Sequence, residues 1–234
     1  MATKTNDQII LEQIVKERCS ESGDEMSITE YFELYTASEL LKDFDLSYDD
    51  IKYGIVGNGG DGGIDSLFIF LNGELVKEDT PINFNQRKNE IELILIQSKT
   101  SFNLKEDAVV KFRETAEDLF NLANNPNDFS KRYNQELIDK AKLFRSIYTG
   151  LAKNFPKLTI KYYYATQGDE IHNNVKGKVE KLQESVNQMF NGSNFNFQFI
   201  GAKQLLEITR SVPSTSRALE VSESPITTLS GSYI

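Results

Sequence analysis

Gly57-Asn58-Gly59-Gly60-Asp61-Gly62-Gly63-Ile64-Asp65 opens a stretch that closes, two apolar runs later, on Ile96-Gln97-Ser98-Lys99. Ile64 to Leu71 reads as one strand and Ile91 to Ile96, leading into Gln97-Ser98-Lys99, as a second. Strand side chains two apart share a face, so Gln97 and Lys99 are expected on the same side. If the strands pair antiparallel, the start of the first meets the end of the second, and Asp65 falls beside Gln97 and Lys99. The glycines permit positive φ and close approach by a nucleic-acid backbone or a hydrated ion. An ordinary hairpin connection uses such glycines too. Their pairing with a Gln-x-Lys strand end singles this stretch out.

These residue types suit a divalent-metal phosphodiesterase. A hard cation such as Mg²⁺, or Mn²⁺ in its place, takes oxygen ligands and keeps several waters. Asp65 would supply a carboxylate, Gln97 a neutral amide oxygen and Ser98 its backbone carbonyl. Lys99 would orient the attacking water, lower its pKa or stabilise charge in the transition state. A neutral Gln leaves this set one negative charge short of an Asp/Glu pair. Weaker ion binding, or a carboxylate from elsewhere, is therefore expected. Asp61 either shapes the turn by bonding its own backbone or stands behind the site as a further acid.

Gly60-Asp61-Gly62-Gly63-Ile64-Asp65 followed by Ile96-Gln97-Ser98-Lys99 resembles the Mrr-type branch of the PD-(D/E)xK nuclease superfamily. The resemblance implies that Asp65 is the metal-ligating Asp, Gln97 the variant middle residue and Lys99 the catalytic lysine. It also implies a further acidic residue on the preceding helix, for which Phe32-Glu33 is the match; Glu33 would then add a metal ligand. No Pro precedes the Asp, a departure from the general motif. The wider order of elements is similar to the N-terminal region of the abortive-infection phage-resistance (AIPR) family. That likeness implies bacterial defence against foreign DNA and a longer protein. The close on Gly231-Ser232-Tyr233-Ile234 likewise reads as the beginning of an element.

Composition sets the bounds. With 234 residues, 39% hydrophobic and 26% charged, the chain can bury one substantial core and is expected to be soluble and globular. No run is long and apolar enough for a membrane span, and the first residues lack a signal-peptide core. A single cysteine, Cys19, excludes an internal disulfide and fits a reducing cytoplasm; a single histidine, His172, excludes a His cluster. The net charge of −9 opposes nucleic-acid binding, but it is unevenly placed. The N-terminal third is acidic, whereas Lys131, Arg132, Lys140, Lys142, Arg145, Lys153, Lys157 and Lys161 form a basic stretch. That stretch could steer a polyanion, or it could be a set of solvated helix faces.

Periodicity predicts a helix over 7–18 capped by Asp7 or Asn6, and a second to about Phe44 opened by the capping box Ser27-Ile28-Thr29-Glu30. This second helix carries Glu33, which either reaches the site or simply faces solvent. Ile51 to Val56 reads as a short strand or a lead-in to the glycine turn, and Leu75 to Glu90 as a polar loop or hairpin tip. Helices are expected over Leu104–Leu122, Gln135–Lys153, Glu170–Phe190 and Ala202–Thr209. Strands are expected over Leu158–Thr166 and Phe195–Ile200. Thr100, Ser101 and Asn103 suit phosphate contact or a helix start. Lys111 and Arg113 could face phosphate or pair with nearby Glu residues. Tyr162-Tyr163-Tyr164 could stack on bases but fits core packing better.

The expected fold is α/β, a restriction-endonuclease-like mixed β-sheet flanked by helices over residues 1–210, with 211–234 a linker or the start of a further domain. The expected function is metal-dependent hydrolysis of phosphodiester bonds in DNA. The alternatives are a nuclease-like module that binds nucleic acid without cutting, and a scaffold of a larger defence protein. Paired cuts on a duplex would make a homodimer natural, although no dimer face is legible.

Overall fold

The computed structural model describes residues 4–57, 59–101, 106–169 and 173–213. Asn58, Asn103, Leu104, Glu170, His172 and 214–234, which enter the sequence reading, lie outside the described residues. Five strands form one mixed sheet in the order β2-β1-β3-β4-β5. They are β1 (Ser66–Leu71), β2 (Glu74–Leu75), β3 (Glu90–Lys99), β4 (Lys157–Thr166) and β5 (Asn194–Ile200). β1 runs antiparallel to β2 and β3, while β3, β4 and β5 are mutually parallel. The α/β architecture with a mixed sheet flanked by helices is thus as expected.

Both faces of the sheet are covered. α1 (Asn6–Glu21), α2 (Ile28–Leu40), α3 (Tyr48–Gly54) and α7 (Ala202–Arg210) share a core with Phe68, Phe70, Ile94 and Ile96. α4 (Glu106–Thr115), α5 (Gln135–Gly150) and α6 (Asn173–Met189) share another with Leu67, Ile69, Leu93 and Leu95. β1 and β3 therefore read as continuous apolar runs, because each side chain meets a helical layer. Full burial of one such side chain contributes about 1.5–3 kcal/mol. The tyrosines of β4 belong to this packing. Tyr162 and Tyr164 are buried, and Tyr162 lies against Phe112 and Phe197.

Several boundaries differ from the sequence reading, each for a local reason. Residues 51–56 are not a strand: Ser47 accepts the Asp50 N–H and Asp50 answers the Ser47 N–H, which starts α3. That reciprocal cap outweighs a short apolar run. α3 lies hard on β1, since a Cβ on Gly54 would stand 2.0 Å from the Phe68 ring. α1 is capped by Thr5 with Gln8, not by Asp7 or Asn6. α2 starts at the predicted Ser27–Glu30 box but stops at Leu40, and a 3₁₀ turn over Lys42–Phe44 follows. The predicted loop from Leu75 begins inside a hairpin. Asn72 and Gly73, both at positive φ, turn β1 into β2. α4 ends at Thr115 and passes into a π-helical turn, Ala116–Phe120.

The two edges of the sheet are unequal. β2 offers two residues, and one is charged. β5 offers seven, Asn-Phe-Asn-Phe-Gln-Phe-Ile, with neither a charge nor a proline. Among the described residues no helix is long and apolar enough to cross a membrane.

Candidate active site

The site forms where β1 begins and β3 ends. The register pairs Ser66 with Ile96, so antiparallel geometry brings Asp65 to the Gln97-Ser98-Lys99 end. The Asp65 N–H donates to the Ile96 carbonyl at 2.9 Å, and its own carbonyl accepts from Val56 at 2.8 Å. Its backbone is held from both sides. The side chain is 3% exposed. Asp65 Oδ2 accepts the Ser98 N–H at 2.6 Å, and Lys99 Nζ stands 3.3 and 3.4 Å from the two carboxylate oxygens. The expected approach of Asp65 and Lys99 is therefore present.

The glycine turn is fastened from below. Asp61 Oδ1 accepts the Gly63 N–H at 2.7 Å, the turn-shaping role read from the sequence. Asn134 caps α5 and also donates its side-chain amide to the carbonyls of Val56, Gly57 and Gly59. The Thr115 hydroxyl donates to the Gly62 carbonyl at 2.9 Å. Gly62 sits at φ +60° where a Cβ would stand 2.2 Å from Thr115 Oγ1, so no other residue fits. Asn134 and Thr115 were missed by sequence reasoning. The Asn immediately before the predicted helix at Gln135 was the available signal for one of them.

Glu33 arrives from α2. It shares a cleft of about 540 Å³ with Asp65 and Lys99, whose charged lining also includes Glu30, Asp61, Glu136 and Lys52. Five carboxylates against two ammonium groups make this cleft a place for a cation first and a phosphate second. Burial pushes the Glu33 carboxyl up to about 7; the Asp65 charge adds to this and Lys99 opposes it. Burial likewise raises Asp65, with Lys99 and the Ser98 N–H pulling the other way.

Gln97 is set deeper, toward α4. A Cβ on Gly63 would stand 3.4 Å from Gln97 Nε2 and 3.1 Å from the Lys111 Cβ. Gln97 is 4% exposed, and its Oε1 is buried with no hydrogen-bond partner among the described residues. An unsatisfied buried oxygen costs about 1–3 kcal/mol unless something binds it. Ser98 Oγ is in the same condition. Among the described residues no group of three or more His, Cys, Asp or Glu side chains could hold a metal ion. Of the expected ligands, Asp65 and Glu33 line the cleft and would hold a cation there, whereas Gln97 and Ser98 are not among its lining residues. That donor set fits Mg²⁺ or Mn²⁺, which keep water ligands, and not a soft metal.

Much of the basic stretch is engaged within the fold. Arg132 pairs with Glu114 and Asp118, Lys157 with Glu90, and Lys161 with Glu92. Lys140 is buried, donates to the Tyr53 carbonyl at 2.5 Å and lies 3.6 Å from the Tyr53 ring centre. Arg145 donates to the carbonyls of Leu119, Asn121, Leu122 and Asn124. Arg113 pairs with Glu117, one of the two options its spacing left open. Compared with known proteins, the chain matches no family model, no curated protein and no solved structure.

Proposed function

We propose that the protein is a cytoplasmic, metal-dependent endonuclease that hydrolyses phosphodiester bonds in DNA, with Asp65, Glu33, Gln97 and the Ser98 carbonyl as cation ligands and Lys99 as the catalytic cation. The observation that carries this reading is the buried Asp65, bonded by the Ser98 N–H, with Lys99 on it and a half-buried Glu33 in the same cleft. Isolated burial of two coupled carboxyls is unfavourable in a purely structural role, and a cation relieves it. The unpartnered Gln97 oxygen supports the same need.

A bound Mg²⁺ or Mn²⁺ would neutralise these carboxylates and polarise the phosphoryl group. The chain supplies the rest. Asp65 is locked by its backbone and by Ser98, so its carboxylate points one way before any ligand arrives. Lys99, anchored against Asp65 but 41% exposed, can turn its ammonium group to the attacking water or to the phosphoryl oxygens. The glycine turn lets a sugar-phosphate backbone approach without side-chain obstruction. A role in bacterial anti-phage defence rests on the sequence resemblance alone, and a homodimer would suit paired cuts on a duplex.

The test is cleavage of plasmid and single-stranded DNA with Mg²⁺ or Mn²⁺, using wild type, Asp65→Asn and Lys99→Ala. Cutting by wild type and loss in both variants is expected; equal cutting by all three would refute the assignment. The acidic cleft and the internally paired basic stretch favour a second reading, a non-cutting module of a larger defence protein. A wild type that gains thermal stability from Mg²⁺ yet cuts neither substrate would select it.

A further inference from the structure

A second cavity adjoins the first. It has a volume of about 520 Å³ and opens where β4 and β5 end and α7 begins. Lys99 and Thr166 are register partners at the ends of β3 and β4, and Ala165 pairs with Ile200 at the end of β5. Lys99 lines the catalytic cleft and Thr166 the second cavity. Adjacent strands are about 4.8 Å apart, so the two depressions are consecutive along the carboxyl edge of the parallel strands. Open α/β sheets bind ligands at that edge.

Resting on the nuclease reading above, we infer that this cavity holds one unstacked nucleobase of the strand whose phosphate lies at Lys99, with a preference for bases that carry an amino group. The size is right for a nucleoside, and pockets of this volume hold small ligands. Phe199, half-buried on β5, lines it and is backed by the buried Tyr164, with ring centres 6.2 Å apart. The accessible part of the Phe199 ring is what a base would stack on. The charged lining is mostly acceptor, Asp7, Asp169 and Glu207 against Lys203, while Gln204, Thr5 and Thr166 can both donate and accept. Acceptors favour the amino groups of adenine, cytosine or guanine and leave thymine poorly matched. The same carboxylates repel phosphate, which keeps the sugar-phosphate chain at the rim, beside Lys99.

The rim is built before any ligand arrives. Asp169 Oδ1 accepts the Lys203 N–H at 3.0 Å, and the Thr166 hydroxyl bonds both the Gly168 N–H and the Gly168 carbonyl. A Cβ on Gly201 would stand 2.5 Å from Asp169 Oδ1 and 2.8 Å from the Gly168 carbonyl oxygen. The two loops therefore close on each other only because residue 201 has no side chain. A base stacked inside a duplex cannot reach such a cavity, so the substrate segment is single-stranded or locally unpaired.

The test uses the full chain, with adenosine, cytidine and thymidine as probes and backbone-amide NMR shifts as the readout. Adenosine and cytidine should shift the amides of Phe199, Gly201 and Lys203, and thymidine should bind roughly tenfold more weakly. Phe199→Ala, and separately the exposed Gln204→Ala, should each weaken adenosine roughly tenfold. Equal binding of all three nucleosides, shifts elsewhere, or no binding at all would overturn the subsite. Nucleoside binding does not require catalysis. A protein that cuts DNA but binds no nucleoside refutes only the subsite, and one that binds adenosine here without cutting refutes only the nuclease reading.

Discussion

Lys99 and Arg145 are both cations set against oxygen atoms, in opposite surroundings. Arg145, on α5, donates to four carbonyl oxygens of the segment after the π turn. Lys99 makes two long contacts to one carboxylate, with 41% of its side chain exposed. Around Arg145 the charge completes the fold. Around Lys99 the acids outnumber the cations, and a buried amide oxygen, that of Gln97, has no donor among the described residues. Part of the charge that looks most like a nucleic-acid surface in the sequence, at Arg145 and the buried Lys140, is thus structural. The net-acidic region is the one left incomplete, as sites that bind something commonly are.

The sharpest way to break this comparison is Lys99→Ala. Cleavage should fall at least about a hundredfold while circular dichroism stays that of the wild type. Cutting at the wild-type rate would remove the distinction between the two cations. Arg145→Ala should do the reverse. Urea unfolding should show a loss of about 3 kcal/mol, with cleavage per folded molecule unchanged; an unaltered midpoint would mean that the four carbonyls find water instead.

Glu33→Gln has a smaller and pH-dependent effect. The folded Glu33 carboxyl titrates at about 7, above its ordinary 4.5, so the native state keeps a proton that the unfolded chain has released. Stability from this group is complete below about pH 4.5 and is lost as pH rises through 7. Without divalent cations, Glu33→Gln should therefore melt above wild type at pH 8, and the gap should close at pH 4. A wild-type melting profile with no such slope would count against a buried, charge-coupled Glu33. Lys142, paired only with Asp139 at the surface, should be the least consequential: Lys142→Ala should change stability by under about 0.5 kcal/mol and leave DNA affinity unchanged. A marked drop in affinity would restore the basic stretch as a contact surface.

The sheet and the meeting of Asp65 with Lys99 were legible in the sequence because two continuous apolar runs, one opened by glycines and the other closed by Gln-x-Lys, read as adjacent antiparallel strands. Glu33 was reachable only through the Phe32-Glu33 resemblance, since a helix of many acids gives no internal reason to choose one. Residues 51–56 misled because a four-residue cap is a weaker visual signal than an apolar run. Lys131 to Lys161 left two readings open in the sequence, a field for a polyanion or solvated helix faces. Whether a lysine meets solvent, a glutamate or a carbonyl is decided by residues dozens of positions away, as for Lys161 and Glu92 or Lys140 and Tyr53. The second cavity was invisible for the same reason: its walls come from α1, β4, β5 and α7.

The unequal edges of the sheet bear on how the protein behaves at high concentration. Among the described residues, this edge of seven uncharged residues alternating Asn or Gln with Phe presents an unpaired backbone ladder and no charged or proline gatekeeper on the strand. Molecules meeting edge to edge gain hydrogen bonds and bury half-exposed Phe195, Phe197 and Phe199, with no like charges on the strand to hold them apart. Static light scattering should show self-association that grows with concentration and hardly responds to salt. One lysine at Asn196, exposed on the opposite face of β5, should suppress it and give a more tractable sample.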